Sequence, residues 1–227
     1  MKIVGMIVVR DDELYLQQAC ENVLDFCDEI TILEDGSHDS TPDICRALEK
    51  AHDKVTFKQI KKVQDSHSHV AQYHGKDVWV FGVDGDELYD VEGLKIVREE
   101  LYAGKYIENF ILRGWFLHVF EKTGNIVRGY PGPPSYIPTK LFNFKKIISW
   151  KNTKNVCFSG KRVLTDEVEY HFADKFGWED SPLRCLHMRF IPRSSYPERS
   201  PMTQMKRTIY KMGEIVTADM EDFKCQK

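Results

Sequence analysis

The chain has 227 residues, 42% of them hydrophobic, with 32 Lys and Arg against 35 Asp and Glu for a formal net charge of −3. That size and apolar content support a folded domain with a sizeable core, and the charge balance excludes the strong basic excess of a nucleic-acid binder. No apolar run approaches the ~20 residues that span a bilayer, and Ile3–Val9, closed by Arg10-Asp11-Asp12, is too short for a secretory signal. Six cysteines are scattered without a CxxC pair, so they read as reduced thiols in a cytoplasmic protein.

Lys2–Val9 has the composition of a buried strand. Glu13–Phe26 places Leu14, Leu16, Ala19, Val23 and Leu24 on one helical face. Glu29–Leu33 is a second strand, ending in the turn Glu34-Asp35-Gly36-Ser37, and Pro42 opens a helix through Ile44–Ala51. Val55–Ile60 is a third strand, Ser66–His74 a short helix, Asp77–Val83 a fourth strand and Val91–Tyr102 an amphipathic helix. Alternating strands and helices predict right-handed βαβ units and an α/β fold with a mainly parallel central sheet flanked by helices. The second half changes character. Asn109–Phe120 is a long strand, the glycine- and proline-rich stretch Thr123–Pro138 a loop, and Lys140–Phe144, Val163–Phe172 and Arg184–Ile191 are strands of a more antiparallel half. Pro201–Gly213 is a closing helix, and the end after Thr217 is expected to be loosely ordered.

Three constellations carry chemistry. In Val78–Glu87 an apolar run drives into Asp84-Gly85-Asp86-Glu87, which sets carboxylates at the C-terminal edge of a buried strand, where open α/β sheets bind ligands. Clustered hard oxygens suit Mg2+ or Mn2+, which in turn suit phosphate. Glu34-Asp35-Gly36-Ser37 ends a neighbouring strand, so the two turns would share a crevice in which Asp35 can bond a base or a ribose hydroxyl. The plain alternative for both turns is helix capping and favourable charge at a helix N-terminus. In Leu186-His187-Met188-Arg189 a neutral imidazole could complete a carboxylate site, against the alternative of an ordinary structural histidine.

Residues 3–103 resemble the nucleotide-sugar half of a family-2 glycosyltransferase with the GT-A fold. Three pieces carry the resemblance in order: the opening strand with Arg10-Asp11-Asp12-Glu13 and Tyr15-Leu16, the turn Glu34–Thr41, and the "DxDE" acids Asp84–Glu87. The last looks like the bacterial lipopolysaccharide-core type of glucosyltransferase. The second half is similar only in Lys140–Phe144 followed by Trp150, then a histidine and a closing helix.

This resemblance implies one GT-A domain, with residues 1–105 binding the nucleotide sugar, 106–200 facing the acceptor and 201–227 forming a C-terminal helix and tail. It implies transfer of a sugar, with inversion, from a nucleotide-diphosphate donor (a UDP-sugar by preference) to a hydroxyl acceptor on a glycan. Arg10, Glu34, Asp35, Asp84 and Gly85 would bind the nucleotide. Asp86 would be the principal ligand of Mn2+ or Mg2+, helped by His187 and Asp84, and Glu87 would brace the turn. Asp180, ahead of Glu179, would be the catalytic base, with Asp166-Glu167 the other candidate pair. The family's basic helix between the third and fourth strands is replaced by Gln64–His74, where His67 or Lys62 would have to substitute. Trp115, Tyr130, Tyr136 and Trp178 could stack on sugars, or serve as core aromatics. Lys140–Lys154 is a modest basic stretch compatible with peripheral membrane association. A sugar-nucleotide nucleotidyltransferase would share the α/β layout but needs a glycine-rich loop after the first strand, which Met6–Asp12 lacks. A non-catalytic glycan- or partner-binding domain is the other rival.

Overall fold

The computed structural model describes residues 1–132, 141–151, 161–165, 169–172, 177–196 and 214–224. Four parallel strands open the chain: β1 (Lys2–Val9), β2 (Glu29–Glu34), β3 (Val55–Gln59) and β4 (Val78–Asp84). They lie in the order β4-β1-β2-β3, with α1 (Leu16–Asn22), α2 (Thr41–Ala51) and α3 (Ser66–Val70) in the connections. The chain lays β2 and β3 on one side of β1, then crosses back to set β4 on the other. That reversal is a topological switch point, and it leaves a crevice beyond the C-terminal ends of β1 and β4.

The remaining elements divide between sheets. After β4 come β5 (Glu87–Tyr89), α4 (Val91–Tyr102), β6 (Asn109–Arg113), β7 (Trp115–Thr123), β8 (Ile126–Gly132) and β9 (Leu141–Asn143). Then follow β10 (Ile147–Lys151), β11 (Lys161–Leu164), β12 (Glu169–Phe172), β13 (Arg184–His187) and β14 (Val216–Asp219). The large sheet has the order β12-β6-β9-β4-β1-β2-β3, with β9 antiparallel to both β4 and β6. A second sheet has the order β14-β8-β7-β13-β5 and is antiparallel except where β13 runs alongside β7. β10 and β11 form a separate antiparallel pair. The expected α/β class, mainly parallel at the centre and more antiparallel later, is the class observed.

β4 shows why this sheet forms. Its residues are buried on both faces, as a central parallel strand requires. Trp79, Phe81 and Val83 join one core with Ile3, Ile7, Phe26 and Tyr89, while Val78 and Val80 join the other with Phe110, Phe142 and Phe144. Phe81 sits edge-on between Phe26 and Tyr89, with ring centroids 4.9 and 4.8 Å away. Burying each such side chain contributes roughly 1.5–3 kcal/mol, so the strand that carries the acids is itself held rigidly.

Several expectations are corrected. The helix read over Glu13–Phe26 is only Leu16–Asn22, and the one read over Ser66–His74 is α3 followed by a single 3₁₀ turn at Ala71–Tyr73. The long strand Asn109–Phe120 is two strands that serve different sheets, broken at Gly114. A Cβ at Gly114 would lie 1.5 Å from the Leu183 carbonyl oxygen, so the crossing admits no side chain. The loop expected from Thr123 contains β8, pinned between β7 and β14 despite its glycines and proline. Val163–Phe172 is likewise two strands, and Arg184–Ile191 stops as a strand at His187. Within the end expected to be loosely ordered, residues 218–224 are held by burial of Met220 and Phe223, and the Phe223 carbonyl accepts from the Asn22 amide. The expected helix Pro201–Gly213, Tyr136 and the pair Asp166-Glu167 lie outside the described residues.

Candidate functional site

The switch point gathers acids from two strand ends. β1 ends at Val9 and turns through Asp11, which adopts φ 52°. This puts Asp12, buried, against the end of β4, where a Cβ on Gly85 would lie 3.1 Å from the Asp12 carboxylate. Gly85 therefore lets the two turns approach closely, a steric role that its assignment to nucleotide binding did not foresee. Asp84 pairs with Val8 at the last rung of the parallel ladder and is half-buried.

Glu87 folds the turn back on itself. Its Oε2 accepts the Asp84 backbone N–H at 3.0 Å and the Tyr89 hydroxyl at 3.2 Å. The bracing role expected for Glu87 is observed, and the same contacts carry its carboxylate into the site. β13 lies antiparallel to β5 with His187 opposite Glu87. Asp84, Glu87 and His187 thereby offer ligand atoms that all lie within 4.8 Å of one another, the one such metal-competent group among the described residues. Two carboxylates and an imidazole are a donor set suited to Mn2+ or Mg2+.

Asp86 is placed differently. It is 1% exposed, and its Oδ2 meets Nη1 of Arg193 at 2.5 Å and Nε2 of His187 at 3.5 Å. Arg193 also lies 3.5 Å from Asp12 Oδ1. Burial works against the Arg193 charge, but Asp86, Asp12 and Asp84 more than restore it, and its pKa stands above the ordinary value. The residue expected to be the principal metal ligand is thus already neutralised by a cation of the chain itself. His118, across from His187 on β7 with ring centroids 5.2 Å apart, completes the inner wall. Burial and then the Arg189 charge, opposed by Asp86, push its pKa down to about 4, so it stands as a neutral imidazole.

The second acidic turn lines the same crevice edge. Glu34 is buried and accepts the Ser37 N–H and, at 3.3 Å, the Gln59 amide, so it clamps the turn rather than facing solvent. Asp35 is half-buried, with its N–H donated to the Val9 carbonyl at 3.0 Å. Burial raises its pKa, the nearby Arg10 opposing. Arg10 is half exposed with its Nε 3.7 Å from Asp11 Oδ2. Asp35 and Arg10 are therefore both accessible to a ligand here.

Other expected residues lie elsewhere. Glu179 and Asp180 are exposed, and Glu179 Oε2 lies 3.3 Å from Arg184 Nη1. Arg184 opens β13 while His187 closes it, a separation of about 10 Å at roughly 3.3 Å per residue. The structure does not bring this carboxylate pair to the acids of the switch point. Trp178 is buried against Phe223, and His67 is buried edge-on to Trp150 at 4.9 Å, which places both in cores rather than on a ligand surface. Lys62 is exposed.

Reading from the sequence assigned nothing to His118 and Arg193, and Asp12 entered only as part of the opening motif. His118 looks like a strand histidine among apolar neighbours, and Arg193 follows β13 in an irregular stretch. Neither has a local pattern that would mark it; only the pairing of β7 with β13 and the return of residues 193–196 bring them in.

No family model matches the sequence, and no curated protein matches it. Among solved structures the chain is similar to S. aureus TarS 1-349 in complex with UDP, at 17% identity and TM-score 0.37, covering 55% of this chain and 37% of that one. It is similar to the mannosyltransferase PcManGT from Pyrobaculum calidifontis in complex with GDP-Man and Mn2+, at 13% identity and TM-score 0.36, covering 53% and 36%. It is also similar to HddC from Yersinia pseudotuberculosis, at 11% identity and TM-score 0.37, covering 98% and 96%. The chain thus spans well under half the length of TarS and PcManGT, and at these TM-scores the function must be argued from the site. No described helix is long and apolar enough to cross a membrane.

Proposed function

We propose that the protein is a metal-dependent glycosyltransferase of the GT-A type, moving a sugar from a nucleotide-diphosphate donor to a hydroxyl acceptor on a glycan or related molecule. The observation that carries this reading is the convergence of Asp84, Glu87 and His187 within 4.8 Å at the switch point between β1 and β4. Three hard or borderline ligands gathered beyond the strand ends fit a divalent ion, and a divalent ion fits a diphosphate. Arg10, on the turn after β1, and Asp35, on the turn after β2, would take the nucleoside in this reading. The same fit supports Mn2+ or Mg2+ as cofactor, and a UDP-sugar is the donor this reading prefers.

Asp84, Glu87 and His187 would hold the metal, which would supply charge stabilisation to the departing diphosphate. Asp86 serves this reading as the anchor of Arg193 rather than as the first ligand. Glu87 is held in orientation by the Asp84 N–H and the Tyr89 hydroxyl. His118, neutral and buried, walls the site without adding a second positive charge beside the ligands. Glu179, exposed and engaged with Arg184, serves the β13–β5 clamp in this reading rather than proton abstraction. The turn after β1 contains no glycine, which weighs against a nucleotidyltransferase and its glycine-rich loop.

The test is a screen of nucleotide-sugar turnover with Mn2+. Hydrolysis or transfer from one UDP- or GDP-sugar, lost with EDTA and lost in His187→Ala, is the expected result. Release of pyrophosphate from a nucleoside triphosphate and a sugar phosphate would move the protein to the nucleotidyltransferases. Metal-dependent nucleotide binding without turnover of any sugar nucleotide would make it a binding domain.

A further inference from the structure

Arg193 stands out because it is a cation built into an acid centre. Asp12, Asp84, Asp86 and Glu87 crowd one site, and like charges at that density penalise ionisation unless a positive group answers them. Arg193 answers through one nitrogen: Nη1 meets Asp86 at 2.5 Å and Asp12 at 3.5 Å. A guanidinium has five N–H donors in a planar fork. Among the described residues, its Nε and Nη2 have no hydrogen-bond or ion-pair partner, and the side chain is 17% exposed. One nitrogen is fixed by two carboxylates, and the side chain keeps donors in reserve.

The backbone that carries Arg193 is also fixed. The Arg193 carbonyl accepts the Leu14 N–H at 3.0 Å. The Ser194 hydroxyl donates to Asp39, and the Ser195 N–H donates to Glu13 at 2.6 Å. The Tyr196 ring stacks on His38, with centroids 4.4 Å apart and 10° between planes. Residues 193–196 thus strap the turn after β1 to the turn after β2, across the rim on which Asp35 and Arg10 sit. A partly exposed positive group oriented by two buried carboxylates beside the switch-point acids, with donors left over, is equipped to bind an anion with two adjacent oxygens.

We propose that Arg193 contacts the diphosphate of a nucleoside-diphosphate ligand, with Asp86 and Asp12 as its positioning residues, an inference that rests on the nucleotide-diphosphate reading of the site. Arg193 then flanks the diphosphate beside the group Asp84, Glu87 and His187, and Asp86 acts through the arginine.

Calorimetric titration of the full chain with uridine and UDP, and with guanosine and GDP, in Mn2+, tests this. Wild type is expected to bind the diphosphate more tightly than its nucleoside. Arg193→Ala should cut diphosphate affinity about 10–100-fold, the range of a lost charge-assisted contact, while nucleoside affinity stays unchanged. Arg193→Lys, which keeps the charge but not the fork, should fall between, and it carries the test if Arg193→Ala does not fold. Asp86→Asn should weaken diphosphate binding in the same selective way. Undiminished diphosphate affinity in the arginine variants would overturn the inference while leaving the nucleotide reading intact, and an equal loss of nucleoside and diphosphate would reduce Arg193 to a structural ion pair. Wild type that binds neither would remove the nucleotide reading, and this one with it.

Discussion

Two Arg–Asp pairs of nearly the same length flank the two ends of β13, yet their surroundings differ. At the start of the strand Arg184 Nε meets Asp90 Oδ2 at 2.6 Å, and near its end Arg193 Nη1 meets Asp86 Oδ2 at 2.5 Å. The Arg184 pair is a clamp. Asp90 also caps α4 through the Gly93 N–H at 2.9 Å, and the remaining charge goes to exposed Glu179. The Arg193 pair sits among surplus carboxylates and two histidines at the topological switch point. What separates a structural pair from a functional one here is the charge left over once the pair is made, and where in the sheet it is left.

The contrast can be broken from either end. The largest effect is expected at the clamp: Arg184→Ala leaves the buried Asp90 without its charged partner, at a cost of about 2–4 kcal/mol. Chemical denaturation should show that loss, while the folded fraction keeps its metal-dependent affinity for UDP or GDP; a loss of ligand affinity with unchanged stability would reverse the assignment of the two ends. At the other end, Glu87→Gln keeps acceptors for the Asp84 N–H and Tyr89 hydroxyl but removes a charge. Mn2+ affinity should fall about 10–100-fold, or roughly 1.4–2.8 kcal/mol, with little change in melting temperature. A drop in stability without a drop in Mn2+ affinity would make Glu87 a brace alone.

A third region supplies a pH control outside both ends. His67 is buried against Trp150, and burial, Arg162 and His74 together lower its pKa to about 4. Its folded pKa lies below the ordinary 6.5, so the unfolded chain binds the proton first as pH falls. Stability should decline from about pH 6.5 towards pH 4, by at most about 1.4 kcal/mol per pH unit for this group. The His67→Gln variant should lose part of that slope; an unchanged slope would mean that other groups carry it. The smallest effect is expected at Glu179. Its exposed contact with Arg184 contributes little, so Glu179→Gln should shift stability by less than about 0.5 kcal/mol and leave turnover within about twofold. A large fall in kcat there would return the base role to this residue.

Much of the first half of the fold was readable because its strands and α4 announce themselves locally, whereas α1 and α3 proved shorter than their apolar spacing implied. β1 and α4 fall on the residues expected, and β4 is displaced by one, since uninterrupted apolar strands and an amphipathic helix closed by a cap are local signals. The second half was not, because its boundaries are tertiary. Gly114 ends a strand where the Leu183 carbonyl crosses it, and β8 forms from a glycine- and proline-containing stretch because β7 and β14 flank it. The candidate site divides the same way. Asp84, Asp35 and His187 were visible as acids at strand ends and a histidine in a strand. Arg193 was not, since only the return of its loop across the turn after β1 gives it meaning, and that return also changes what Asp86 is placed to do.

The most direct test of the central claim is titration of wild-type protein with UDP and with GDP, in Mn2+ and again in EDTA. The account predicts binding of one nucleotide diphosphate that is at least tenfold tighter with Mn2+, a difference abolished by His187→Ala. Equal affinity with and without the metal, or no binding of either nucleotide, would contradict it.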